Sequence, residues 1–152
     1  MLRLKPSSSD PLLRAAITDL MALYAELDDR LAELCLVCRA CGACCDFRRN
    51  DYHLCASYIE RALVVTRCGL PELTADGICG FLRDGQCSIH PYRPLGCRTF
   101  FCDPAYEPFH QDICDTFHRR VRALADRHAI PWEYTLFSTP LNTTLLPPEN
   151  LP

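Results

Sequence analysis

Five cysteines lie within eleven residues in the stretch 35–45, which reads CLVCRACGACC. Four more follow at Cys79, Cys87, Cys97 and Cys102, so these stretches hold nine of the chain's 12 cysteines. Two thiolates separated by two residues can bind one metal ion, because a tight turn directs both sulfurs the same way. A fold built on this sequence must bring the two stretches together, and the spacing indicates a metal-binding protein.

Chain length and net charge limit the kinds of protein that this sequence can encode. The chain has 152 residues, enough for one domain that buries a core without disulfides. A formal net charge of -3 argues against a nucleic-acid partner. No run approaches the roughly 18 apolar residues of a membrane helix, and residues 1–10 lack the apolar core of a secretory signal. We therefore expect a cytoplasmic protein, where clustered thiols stay reduced and bind metals.

The sequence divides into three parts. Residues 1–9 are predicted to be a disordered lead-in, and 139–152 a proline-rich extended tail. Between them, 10–138 should form a single cysteine-cluster metal-binding domain with its motif core at 35–103. We expect a mainly α fold with a small β-hairpin and irregular metal-binding loops, stabilised by the bound metal.

Three helices are predicted from apolar periodicity. The first begins at Pro11, and its apolar face consists of Leu13, Ile17, Leu20, Tyr24, Leu27, Leu31 and Leu34. That face either packs within the domain or, because its spacing averages 3.5 residues, forms a coiled-coil dimer seam. Residues 52–67 and 105–128 should form the second and third helices. Pro91 and Pro94 predict an extended segment between the hairpin and the third helix.

A β-hairpin is predicted over residues 78–90, turning at Asp84 and Gly85. A two-residue loop would place Cys79 and Cys87 on opposite faces. A three-residue loop would pair Leu82 with Gln86 and place both cysteines on one face. Because both cysteines should serve one site, the second register is expected.

The cysteine stretch allows more than one ligand set. Cys38 and Cys41 form a CxxC pair, and Cys41 forms another with Cys44. Cys44 and Cys45 are neighbours whose side chains should diverge toward different ions or toward different corners of a cluster. In a rival register, cysteines 35, 38, 41 and 45 match the CxxCxxCxxxC run of bacterial ferredoxins, but Asp46 replaces the proline that follows it. Four thiolates suit tetrahedral Zn²⁺ or an iron–sulfur cluster, so the sequence does not identify the metal.

Several further side chains accompany the motif. Arg39, Arg93 and Arg98 could offset the negative charge of thiolates, and His90 is either a ligand, a donor to sulfur or a structural imidazole. The cysteines outside the motif are expected to be small packing residues. These are Cys55, Cys68 and Cys114.

The combined motif resembles the YkgJ-type CxxCxxCC cysteine-cluster family. The resemblance rests on CxxCGxCC at 38–45 and on CGFLxDGxCSIHPYRPLGCRTF at 79–100, and it covers roughly residues 35–103. Members are described as zinc- or iron-chelating domains or as iron–sulfur-cluster proteins. The resemblance implies metal-ligand roles for Cys38, Cys41, Cys44, Cys45, Cys79, Cys87, Cys97 and Cys102. His90 stands where many members carry tyrosine.

The leading interpretation is therefore a protein that chelates zinc or iron, or a 4Fe-4S cluster, through eight cysteines. One alternative is an iron–sulfur redox accessory protein. Another is a metal-dependent methyltransferase or oxidoreductase, since a related domain occurs in flagellin lysine methylases. No nucleophile elbow, phosphate loop or dinucleotide fingerprint is present, so enzymatic activity stays undecided. The N-terminal helix could recruit a protein partner.

Overall fold

A computed structural model describes residues 11–36, 38–48, 53–69 and 77–138. Over these residues the chain is mainly helical with a small β-hairpin, as the sequence predicts. It also contains a second two-stranded antiparallel sheet that the sequence does not predict. The expected lead-in at 1–9 and tail at 139–152 lie outside the described residues. In the described part of the chain, none of the helices has the length and apolarity needed to cross a bilayer.

Helix α1 (Pro11–Glu33) forms the base of the main core. Its buried residues are Leu13, Ala16, Ile17, Leu20, Leu23, Tyr24, Leu27 and Leu31. They pack against α2 (Tyr58–Cys68) and α4 (Glu107–Arg127) of the same chain. The apolar spacing of α1 thus reflects packing within the domain, and the alternative of a dimer seam along this face is wrong. A protein partner of α1 stays a prediction and would meet its charged face.

The second helix begins later than predicted. Residues Cys55–Ser57 form strand β1, which pairs antiparallel with β4 (Tyr134–Leu136), and α2 starts at Tyr58. The helix starts there because Ser57 and Glu60 form a capping box that satisfies its first N–H groups. Local sequence could not reveal a strand whose partner lies about 80 residues away.

The predicted hairpin register is wrong. Strands β2 (Leu82–Arg83) and β3 (Gln86–Cys87) pair through a two-residue loop, in which Asp84 and Gly85 have φ values of 49° and 74°. Positive φ at both positions is typical of a type I′ turn, which Asp-Gly favours.

This register nevertheless leaves Cys79 and Cys87 facing the same cavity, described below. Cys79 precedes strand β2, so the alternation of side chains along the strand does not set its direction. A turn closed by a hydrogen bond from Leu82 N–H to the Cys79 carbonyl (3.1 Å) reorients the chain between them.

The return segment is helical where an extended chain was predicted. Residues His90–Tyr92 form one 3₁₀ turn, and Leu95–Arg98 form α3. Pro91 lies in the first positions of its turn, and Pro94 immediately precedes α3, so neither proline removes a needed helical hydrogen bond. The prolines therefore start these helical turns rather than prevent them.

Glu60 joins α1, α2 and α3 through one buried carboxylate. It accepts hydrogen bonds from Tyr24 Oη–H at 3.0 Å, Ser57 N–H at 2.8 Å, Ser57 Oγ–H at 2.7 Å and Leu95 N–H at 2.7 Å. The residue is 2% exposed. Four donors on two carboxylate oxygens compensate its burial and fix the first residue of α3, the helix that carries Cys97.

Two apolar clusters support the molecule. The larger lies among α1, α2 and α4. The smaller underlies the cysteines and consists of Leu54, Ala56, Val64, Phe81, Ile89 and Phe137, with Cys79, Cys87 and Cys97 packed against it. The cysteine-bearing segments therefore rest on a core of their own.

Candidate metal centre

Backbone hydrogen bonds join the first cysteine stretch to the hairpin. Cys79 N–H donates to the Cys45 carbonyl at 2.8 Å, and Cys87 N–H donates to the Ala40 carbonyl at 3.3 Å. The two halves of the motif, separated by more than 30 residues of sequence, thus meet through the main chain.

Gly42 makes this close approach possible. Its φ is 76°, in the left-handed region, and a Cβ at this position would lie 2.4 Å from Leu82 Cδ1 and 3.0 Å from the Gly85 carbonyl oxygen. Any larger residue would therefore meet both a strained backbone and the hairpin loop. The glycine in CxxCG serves the contact between the segments as well as the turn.

Nine cysteines line one cavity of about 530 Å³. They are the eight predicted ligands, Cys38, Cys41, Cys44, Cys45, Cys79, Cys87, Cys97 and Cys102, together with Cys35. Among the residues that the structure describes, no three His, Cys, Asp or Glu side chains are already positioned to hold a metal ion. The fold gathers the thiols around a common space, and binding would require their side chains to close on the metal.

Five of these cysteines form what we name the inner cluster: Cys44, Cys45, Cys79, Cys87 and Cys97. The Cys45 thiol is within hydrogen-bonding reach of the sulfurs of Cys44, Cys79 and Cys87. Cys97 is close enough to Cys44, Cys79 and Cys87 for their negative charges to raise its pKa. Cys44 and Cys45 line the same cavity, and the expectation that they serve different ions or different corners of a cluster stays a prediction.

The inner thiols differ in acidity. The hydrogen bond from Cys45 lowers the pKa of Cys44 to about 7 and that of Cys87 to about 6, against an opposing effect of burial. The donated hydrogen bonds raise the pKa of Cys45 itself, and burial raises that of Cys97 well above its usual range. Cys44 on the first cysteine stretch and Cys87 on the hairpin thus both ionise more readily than an ordinary thiol.

The remaining four cavity cysteines, Cys35, Cys38, Cys41 and Cys102, form what we name the rim. Cys35, Cys41 and Cys102 are exposed, and Cys38 is half-buried. The rim thus lies on the solvent side of the cavity, whereas three members of the inner cluster, Cys79, Cys87 and Cys97, pack against the smaller core.

Cationic and imidazole groups complete the cavity. Arg93 is buried at its wall, donates from Nε to the His90 carbonyl at 2.9 Å, and contributes to the lowered pKa values of Cys44 and Cys87. The Nε2 atom of His90 is buried with no hydrogen-bond partner. Arg93 is thus placed to offset thiolate charge, as the sequence suggests, and His90 presents an uncommitted nitrogen beside the thiols.

Arg98 has a different role from the one expected. Its Nη1 donates to both carboxylate oxygens of Asp28, at 2.9 and 2.8 Å, and its guanidinium lies 4.1 Å from the ring centre of Tyr24. Arg98 therefore attaches α3 to α1 instead of serving the sulfurs directly.

The three cysteines outside the motif do not line the cavity. Cys55 and Cys114 are half-buried, in partial agreement with packing roles, but Cys68 is exposed at the end of α2. The packing prediction is wrong for Cys68 because that last turn extends beyond the core.

The acidity pattern predicts which thiols react first in metal-free protein at pH 7. We expect iodoacetamide to modify Cys87 and Cys44 before Cys97, because alkylation requires the thiolate. Cys45→Ala should slow the reaction at Cys87, since loss of the donated hydrogen bond returns its pKa toward the usual value. Peptide mass spectrometry over a time course measures each rate. Equal rates at Cys87 and Cys97, or no change in Cys45→Ala, would contradict this assignment.

Comparison of the chain with protein-family models, with curated proteins and with solved structures finds no match. The case for a metal centre therefore depends on the thiols that this fold assembles.

Proposed function

We propose that the protein is a metal-chelating cysteine-cluster protein whose ligands are the eight predicted cysteines. The observation that carries the proposal is their common position around one cavity, although they come from four different parts of the chain. A chain that used its thiols only as packing residues would have no reason to gather them there. The resemblance to the YkgJ-type family agrees with the proposal.

The chemistry of the donors suits a thiophilic metal. Thiolate sulfur prefers Zn²⁺ and iron–sulfur clusters over hard cations such as Mg²⁺ or Ca²⁺. Four thiolates around one divalent ion leave two negative charges, and Arg93 at the cavity wall would offset part of that excess. Lowered pKa values at Cys44 and Cys87 reduce the cost of releasing protons when metal binds.

The inner cluster provides the first ligands. A tetrahedral zinc site with bonds of about 2.3 Å places its sulfurs about 3.8 Å apart. The Cys45 thiol is within hydrogen-bonding reach of three other thiols, which supports the inner cluster as the place where such a site would form. When bound, the metal would cross-link the 38–48 segment to the hairpin and α3.

Metal and acid-labile sulfide content, measured on protein purified without oxygen, test the proposal. We expect at least one zinc or iron per chain in the wild-type protein. Cys45→Ser should lose the metal that the inner cluster binds, because Cys45 is central to that cluster. Cys114→Ser is the matched control, a half-buried cysteine outside the cavity, and should keep the full content. A wild-type protein that takes up neither zinc nor iron, even on reconstitution, would reject the proposal.

A further inference from the structure

We propose that the rim is a metal site in its own right, in which Cys35, Cys38, Cys41 and Cys102 hold a [4Fe-4S] cluster separate from the metal of the inner cluster. This inference rests on the proposed function and extends it, because Cys35 is outside the eight ligands. It assigns a ninth cysteine, a second site and a cofactor class.

The spacing of the rim cysteines supports the assignment. Cys35, Cys38 and Cys41 form a CxxCxxC run, and Cys102 is remote in sequence but lines the same cavity. In two-cluster ferredoxins each cluster takes three cysteines from one such run, and the fourth cysteine of the run binds the other cluster. The structure divides this run in the same way, since Cys45, its fourth cysteine, belongs to the inner cluster. Cys102 supplies the remote ligand that the sequence alone did not connect with this run.

The backbone at Cys35 gives an independent reason to assign its thiol a role. Cys35 N–H donates to the Ala32 carbonyl at 2.9 Å, and Leu36 N–H donates to the Leu31 carbonyl at 3.1 Å. These are the two bonds of a Schellman motif, and Cys35 occupies its left-handed position with φ of 58°. Glycine is preferred there because a Cβ is unfavourable in this conformation. The cap itself therefore has no need for a cysteine, whereas its side chain lines the cavity.

Ala129 provides a natural comparison at the end of α4. Its N–H donates to the Asp126 carbonyl at 3.1 Å, Ile130 N–H donates to the Ala125 carbonyl at 2.9 Å, and φ of Ala129 is 54°. The two helices thus end in the same motif, once with a thiol and once without. Glycine at either position should suit the backbone equally, and only at position 35 would it remove a proposed ligand.

The surroundings suit a cluster near solvent. Phe100 and Phe101 line the cavity immediately before Cys102, and Arg39 lies on the cysteine stretch itself. Exposure of Cys35, Cys41 and Cys102 would place the cluster at the surface, where electrons can be exchanged with a partner. Apolar neighbours and a nearby cation are among the features that set cluster potential.

Iron and sulfide content after anaerobic reconstitution, together with the visible spectrum, test the inference. Wild-type protein should hold about four iron and four sulfide per chain at the rim, with iron–sulfur absorption. Cys35→Gly should lose that iron, sulfide and colour while keeping the metal of the inner cluster. Its thermal midpoint without metal should be unchanged or higher. Ala129→Gly should match the wild type in metal and sulfide, and Cys102→Ser should repeat the loss.

The outcomes separate the two proposals. Wild-type protein that binds zinc without sulfide, and a Cys35→Gly variant identical to it, would overturn the rim cluster and leave the eight-cysteine function standing. Iron and sulfide retained in both Cys35→Gly and Cys102→Ser would also overturn it. Absence of any bound metal in wild-type protein would reject both proposals.

Discussion

Removing the metal should unfold the cysteine-bearing segments while the helical core persists. We expect amide protection to fall over residues 35–48 and 77–103, and to remain in α1 and α4. The reason is that residues 38–48 and the hairpin contact each other through few backbone hydrogen bonds, such as Cys79 N–H to the Cys45 carbonyl. Structural zinc contributes about 10–16 kcal/mol of apparent binding free energy in small peptides, comparable with the roughly 5–15 kcal/mol stability of a whole domain.

Hydrogen exchange before and after anaerobic chelation measures this effect, with a thiol reductant present so that disulfides cannot replace the metal. A Cys45→Ser sample treated with the same chelator is the control, because it should already resemble the stripped protein. Identical exchange in loaded and stripped wild-type protein would show that the fold does not depend on metal.

Glu60→Gln should lower the free energy of unfolding by about 1–3 kcal/mol. The carboxylate accepts four hydrogen bonds in a site that is 2% exposed, whereas a carboxamide offers one acceptor oxygen and adds two donors. The amide nitrogen would face one hydroxyl, which can accept from it, and one backbone N–H, of Leu95 or Ser57, which cannot. That buried N–H would lose its acceptor, at a cost of about 1–3 kcal/mol. Denaturant unfolding followed by circular dichroism gives the value.

Glu26→Gln is the matched control for this substitution. Glu26 is an exposed carboxylate on α1 whose contact is Arg120 at 2.6 Å, so its loss should change stability by no more than about 0.5 kcal/mol. If Glu60→Gln and Glu26→Gln cost the same, Glu60 does not hold the three helices together. Because Leu95 N–H is one of the four donors, Glu60→Gln should also weaken metal retention at Cys97 more than Glu26→Gln does.

Periodicity predicted the helices well, because α1 and α4 each bury one stripe of apolar side chains. It placed the start of α2 too early because α2 is buried on all sides from Tyr58 to Val65, so residues 52–57 could not be told apart by pattern. The pairing of β1 with β4 depends on a distant segment and left no local signal.

The cavity lining was predictable from cysteine spacing, but the arrangement within it was not. The hairpin register was inferred from strand alternation, and alternation fails over strands of two residues. The one sequence feature that suggested Cys35 as a metal ligand was the ferredoxin-like spacing, because its position at the cavity depends on how α1 ends. The buried Glu60 is one acidic residue among many in the sequence, and only the fold shows its four donors.

Trp132 is the chain's single tryptophan, and it packs against the helical core, stacked on Tyr134 with ring centres 5.9 Å apart and edge-on to His118. The wavelength of its emission maximum should therefore report on the packing of that core, since Trp132 does not line the cavity. Sulfur-to-metal absorption would report on the cavity alone. If metal binds as proposed, its absorption and the emission maximum of Trp132 would report on different parts of the molecule, so metal loss and core unfolding could be timed separately in one sample.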